Sequence, residues 1–187
     1  MMRNRSGFTL LELMVIVTIG SLLTMIVMPH IDVAGARAQS AARSAHMALA
    51  AAQQRAVLRQ HDVVVDFDEA SMTMRFFDDA NRNGTADEGE RQWTQQLEEG
   101  MTFGRGLAPA GPAGADAISF PEGPEGMPRL TFHRSGSASR AGGFYVSSPR
   151  AATSITRIDE AYAITVARAT GRVQMHRIAG DNWTEAF

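Results

Sequence analysis

An α+β fold is predicted for this chain: a long N-terminal helix ahead of short antiparallel strands. Three observations carry that expectation. Residues 8–28 are apolar except for one carboxylate, Glu12, and a few small polar residues. Residues 31–59 then repeat small apolar side chains at helical spacing. From His61 onward, apolar residues alternate or cluster in short runs bounded by turn formers.

The 21 positions from 8 to 28 are enough to cross a hydrocarbon core of about 30 Å at roughly 1.5 Å per residue. The preceding MMRNRSG carries Arg3 and Arg5, which favours a cytoplasmic N-terminus and an exported remainder. A secretory signal would have an uncharged apolar region of about 7–15 residues. This segment is longer and contains Glu12, although Ala34-Gly35-Ala36 offers a small-residue cleavage site. A carboxylate inside a membrane span costs up to roughly 3 kcal/mol at its centre and is by default functional. Glu12 lies near one end of the span, so its cost is lower, and it needs a cationic partner.

In the next segment Ala38, Ala42, Ala45, Leu49, Ala52 and Ala56 recur at three- and four-residue steps, with Arg37, Ser40, Arg43 and Gln54 between them. This predicts an amphipathic helix whose narrow apolar face admits a closely packed sheet. Joined to residues 8–28, it makes one helix of about fifty residues, bent at Pro29.

Val63-Val64-Val65-Asp66-Phe67 and Met72-Thr73-Met74-Arg75-Phe76-Phe77 read as a hairpin around residues 68–71. Residues 104–128, rich in Gly and Pro, read as an irregular surface excursion. Further strands are expected at Leu130-Thr131-Phe132 and Gly143-Phe144-Tyr145-Val146. A last hairpin pairs residues 162–167 with 172–177 across Ala169-Thr170-Gly171.

The chain has 187 residues, a formal net charge of −2 and no cysteine. That excludes a polyelectrolyte and a disulfide scaffold, so an exported domain must rely on its core or a bound ion. All basic residues are arginine. Enzyme signatures are missing: no G-x-S-x-G elbow, P-loop, H-E-x-x-H or cysteine nucleophile occurs. His30, His46, His61, His133 and His176 are scattered without ligand spacing. The expectation is a non-enzymatic chain.

The string Gly7-Phe8-Thr9-Leu10-Leu11-Glu12 closely resembles the processing site of type IV pilins and type II secretion pseudopilins. The resemblance implies a prepilin leader at 1–7, cleaved after Gly7 by a prepilin peptidase that methylates the new amine of Phe8. It implies a transmembrane segment at 8–28, an amphipathic continuation at 29–60 and a periplasmic β-rich domain at 61–187. The chain would be a single-pass inner-membrane protein whose Glu12 meets the N-terminal amine of a neighbouring pilin or pseudopilin during assembly. Leu130-Thr131-Phe132, Ser135-Gly136, Gly143-Phe144-Tyr145-Val146 and Thr170-Gly171-Arg172-Val173 together resemble the GspH/FimT group of minor pseudopilins. The implied function is a minor subunit of a pseudopilus for type II secretion or of a type IV pilus.

Two further features bear on ligands. Residues 79–90, DANRNGTADEGE, fit D-x-[DN]-x-[DN]-G-x5-E at every specified position. A structural calcium ion there would take Asp79, Asn81, Asn83, the Thr85 carbonyl, Asp87 and Glu90. A plain Asn83-Gly84 turn is the alternative. Between Arg129 and Arg177, eight arginines face only Asp159 and Glu160, a bias that suits phosphate neutralisation. Some FimT-like pilins bind DNA through a G-R-x-R motif. Here Gly171-Arg172-Val173-Gln174 keeps only the first arginine, so the alternative DNA reading rests on Arg172 and Arg177.

Overall fold

The computed structural model describes residues 9–27, 33–180 and 182–186, with residues 24–27 and 33 described through their backbone. It comprises two compact units, residues 1–33 and 34–187. The first contains α1 (Leu10–Val27). Pro29 and the expected bend lie outside the described residues.

The second unit begins with α2 (Val33–Arg59), followed by β1 (Asp62–Asp68), β2 (Thr73–Asp79), β3 (Gln92–Gln96), β4 (Thr102–Phe103), β5 (Arg129–Phe132) and β6 (Gly142–Ser147). After α3 (Pro149–Thr153) and a 3₁₀ segment, Ile155–Glu160, come β7 (Ala161–Val166), β8 (Val173–Ala179) and β9 (Asn182–Glu185). The strands form two antiparallel sheets, ordered β3-β2-β1-β5 and β4-β6-β7-β8-β9. The anticipated hairpins are present, with Val65 opposite Phe76 and Ile164 opposite Met175.

The alanine pattern of α2 has the expected consequence. Ala38, Ala42, Ala45, Leu49, Ala52 and Ala56 are buried, and Ala41 joins them. Their small volume brings both sheets close to the helix, and one apolar cluster spans α2 and the inner faces of the two sheets. Phe67 of the first sheet meets Phe144 of the second at 5.0 Å between ring centroids. Phe120 stacks on Phe67 at 5.4 Å.

Polar residues on the flanks of α2 fasten the surrounding loops. Gln53 donates to the Gly136 carbonyl at 3.2 Å and to that of Thr170 at 3.4 Å. Arg55 donates its Nε to Asp78 at 2.7 Å. Gly171 is required where these loops converge. Its φ is +61°, and a Cβ there would collide with the Gly136 carbonyl oxygen.

The segment 104–128 departs from the expected surface excursion. Ile118 and Phe120 enter the main core, while Ala108 and Ala113 cover the outer face of the second sheet beside Ile178 and Tyr145. The buried Tyr145 hydroxyl holds this strap by donating to the Gly114 carbonyl at 2.7 Å and accepting from the Gly111 amide at 2.8 Å. Glycine and proline set the irregular backbone path, yet the isolated apolar residues between them still seek burial.

Candidate functional site

Thr9 and Glu12 open α1 with a reciprocal capping pair. The Thr9 hydroxyl accepts from the Glu12 amide at 3.2 Å, and Glu12 Oε2 accepts from the Thr9 amide at 3.0 Å. The Thr9 hydroxyl also reaches Oε2, at 3.1 Å. This is the S/T-x-x-E arrangement that satisfies orphan amides at a helix start. Oε1 accepts no hydrogen bond among the described residues. The carboxylate is thus oriented by its own helix and has one oxygen to offer elsewhere.

The rest of α1 is apolar around its circumference. Leu10, Leu13, Ile16, Ile19 and Leu23 are all more than half exposed within this chain. A helix apolar on all sides needs an apolar environment from outside itself. No helix among the described residues is long and apolar enough to cross a membrane. The described α1 has 18 residues, about 27 Å at the α-helical rise. The sequence-based span also included positions 8 and 28, which lie outside the described residues, as do Gly7 and the Gly7-Phe8 junction.

The loop between β2 and β3 brings the calcium-spaced residues together by closing on itself. Asp79, buried at the end of β2, accepts from the amides of Asn83 at 3.0 Å and Gly84 at 2.9 Å. Glu90 reaches back across the loop to the amides of Ala80 at 2.8 Å and Asp87 at 3.1 Å. Asp87 Oδ2 accepts the side-chain amides of Asn81 at 2.7 Å and Asn83 at 2.6 Å. The Thr85 amide donates to Asn83 Oδ1 at 2.8 Å. Gly84 supplies the turn with φ +73°. No group of three or more His, Cys, Asp or Glu side chains is placed to hold a metal ion among the described residues.

Arg129 ties this loop to the first sheet, which sequence reasoning did not anticipate. Its guanidinium grips Asp66 through Nε at 2.5 Å and Nη2 at 2.7 Å, while Nη1 donates to the Gly84 carbonyl at 2.6 Å. Asp66 raises the Arg129 pKa, against the opposing effect of burial. Only the Asp66–Arg129 register across β1 and β5 could have signalled the pair.

Arg172 and Arg177 are not brought together. Arg172 precedes β8 and pairs with Glu185 at 3.2 Å, a carboxylate that Gln174 also engages at 2.7 Å. Arg177 lies five residues further on, opposite Tyr162 and Thr184.

A helical N-terminus carrying a capped carboxylate, followed by a helix-on-sheet domain, defines a pilin-like subunit. Residues 2–28 match the prokaryotic N-terminal methylation motif. Residues 41–170 match the family of type II transport protein GspH, and the chain belongs to that family. Two solved structures of the minor pseudopilin EpsH from the type II secretion system of Vibrio cholerae are similar. One is 19% identical, covering 75% of this chain and 97% of that one with a TM-score of 0.48. The other is 23% identical, covering 74% and 92% with a TM-score of 0.45. Among curated proteins, no significant match was found.

Proposed function

We propose that this chain is a minor pseudopilin of type II secretion, cut between Gly7 and Phe8, methylated on Phe8, held in the inner membrane by its N-terminal segment, and drawn into a periplasmic pseudopilus through Glu12. One observation carries the reading: Glu12 is the sole charged residue of an all-round apolar helix, fixed by Thr9 through Oε2 with Oε1 left to offer. Cleavage after Gly7 creates a cationic amine on each mature chain. In an apolar surround, a neighbour's amine compensates the carboxylate, and loss of either partner leaves the other uncompensated.

Mass spectrometry of membrane-extracted protein tests the processing, and the expected mature chain begins at methylated Phe8. An intact Met1 terminus in cells with active prepilin peptidase, or a cut near Ala36, overturns it. Glu12→Val tests the contact. That variant should enter the membrane normally and fail to join the pseudopilus, whereas normal incorporation defeats the pairing.

For the β2–β3 loop we propose a structural calcium ion, supported by the spacing of Asp79, Asn81, Asn83, Thr85, Asp87 and Glu90 and by the turn that Asp79 already holds. Binding requires the Asn81 and Asn83 side-chain amides to rotate away from Asp87, so that oxygen rather than nitrogen faces the ion.

A further inference from the structure

The four edges of the two sheets are not alike. β5 is covered by its own chain: the Arg129 amide donates to the Pro121 carbonyl at 2.8 Å, and Thr131 exchanges hydrogen bonds with Ser139 at 2.8 and 3.1 Å. β4 has two residues. β9 has four and ends on Glu185, a charged guard against further pairing. β3 has five residues, Gln92–Gln96, without charge, proline or bulge.

The free side of β3 is assigned residue by residue. Opposed residues of an antiparallel pair alternate between exchanging two hydrogen bonds and exchanging none. The Asp78 amide donates to the Arg91 carbonyl at 3.0 Å, and the Leu97 amide to the Met72 carbonyl at 2.9 Å. In that register Trp93 and Gln95 bond to β2, while Gln92, Thr94 and Gln96 turn their amides and carbonyls outward. All three are exposed, and no backbone group of another element reaches them among the described residues.

Gln92 and Thr94 also line a cavity of about 400 Å³ on the outer face of the first sheet, within the size range of ligand pockets. The Phe77 ring lies there under the Arg129 guanidinium, 5.6 Å away. The charges around it are already matched: Arg129 holds Asp66, Arg75 holds Asp68, and Glu125 faces Arg129, whose charge it favours. A charged visitor finds no free partner, whereas an uncharged side chain can cover Phe77 and Thr94. On the other face of the strand the half-buried Trp93 ring stacks on Phe76. The residues that offer backbone at the edge are therefore the ones that border the cavity, and only an extended backbone matches outward groups at every second residue.

We propose that β3 is a docking edge for an extended, uncharged segment of a partner protein other than this chain. The segment adds a strand to the first sheet by pairing with Gln92, Thr94 and Gln96, and one of its alternate side chains enters the cavity beside Thr94. The inference goes beyond the assembly reading and does not use Glu12.

The probe is a short capped peptide of alternating threonine and valine, added at millimolar concentration to the full-length, detergent-extracted chain. Hydrogen exchange read at single residues reports the edge. Without peptide, the amides of Trp93 and Gln95 are protected and those of Gln92, Thr94 and Gln96 exchange fast. With it, the outward amides should slow several-fold. The same peptide N-methylated at every residue has no donor left and should slow none of them. Replacing its threonines by glutamate or by lysine should weaken the effect several-fold. In the protein, Thr94→Pro removes one outward donor and no bond to β2, at the kind of edge position where proline is tolerated. It should weaken binding roughly fivefold, the worth of one backbone hydrogen bond, with a melt close to the parent's. If that variant melts early, the N-methylated peptide decides, since it leaves the protein untouched. No slowing by the parent peptide, or equal slowing by its N-methylated form, overturns the proposal. Indifference to glutamate and lysine overturns the cavity's part in it. Protection of Gln92, Thr94 and Gln96 that rises with protein concentration in the absence of peptide also overturns it, because the edge then belongs to a second copy.

Discussion

Arg129 and Asp66 form a two-point ion pair between β5 and β1, and the same guanidinium holds the Gly84 carbonyl of the β2–β3 loop. Asp66 is buried at 5% exposure, and Arg129 is its ion-pair partner. Truncation in Arg129→Ala leaves that carboxylate uncompensated, a change that typically costs about 3–5 kcal/mol. Urea unfolding of a fragment starting at Ala34 should show such a loss. Arg129→Lys should recover only part of it, because an ammonium cannot grip two oxygens and the Gly84 carbonyl in one plane. Stability within about 0.5 kcal/mol of the parent in either variant would remove Arg129 as the loop's tether.

Thr9 makes a separable prediction. Replacing it with Val keeps the shape of α1's first residues but removes both hydrogen bonds of its hydroxyl. Losing an N-cap of this kind costs roughly 1 kcal/mol of helix stability. It also leaves Glu12 Oε2 held by the residue 9 amide alone. Thr9→Val should reach the membrane and be processed, yet enter the pseudopilus less efficiently than Thr9→Ser, which retains the hydroxyl. Co-purification with the assembled pseudopilus is the measurement. Equal incorporation of the Val and Ser variants would show that Glu12 needs no orientation from Thr9.

His176 gives the domain a specific acid sensitivity. It sits on β8 with Nε2 3.0 Å from the Thr165 hydroxyl, and burial pushes its pKa below the ordinary value, with Glu185 acting in the opposite direction. The folded state therefore prefers the neutral ring. Its contribution is fully present above the unfolded value of about 6.5 and is lost as pH falls through the lowered folded value. The melting temperature should decline as pH falls below the ordinary imidazole value. His176→Gln, which cannot gain a proton, should flatten the decline. Identical slopes for parent and variant would place the sensitivity elsewhere.

The elements legible in the sequence were those with a strong period. The α2 alanines bury one helix face at a regular period, and the continuous Val63–Phe67 and Phe144–Val146 runs are buried on both sides of their strands. β3 was missed because Gln92–Gln96 is an edge strand with one apolar residue, Trp93, whose ring stacks on Phe76 at 5.2 Å. β9 was missed for the same reason: Trp183 alone anchors it, donating Nε1 to the Pro109 carbonyl at 3.2 Å. The Thr9–Glu12 cap was not read from the sequence, although its S/T-x-x-E spacing is a local signal that records it. Arg129–Asp66 joins residues 63 positions apart and depends on strand register, which no local pattern records.

Calcium is the remaining test of the β2–β3 loop. In its closed form, Asp79 and Glu90 accept from loop amides while Asp87 takes the side-chain amides of Asn81 and Asn83. An ion must displace those two amides, but it also neutralises three nearby carboxylates. A ligand bound only by the folded state adds RT ln(1 + [L]/Kd), about 2.7 kcal/mol at a hundredfold excess over Kd. For a domain with no disulfide and a total stability of roughly 5–15 kcal/mol, that is a measurable share. Millimolar calcium should raise the melting temperature of the Ala34 fragment by several degrees. Magnesium should do less, because it needs a smaller octahedral shell and sheds water reluctantly. Glu90→Ala should abolish the calcium increment. It should also lower the calcium-free melt slightly, through loss of the Ala80 and Asp87 amide contacts. Superimposable melts with chelator and with calcium would show that the loop's own hydrogen bonds are its whole means of closure.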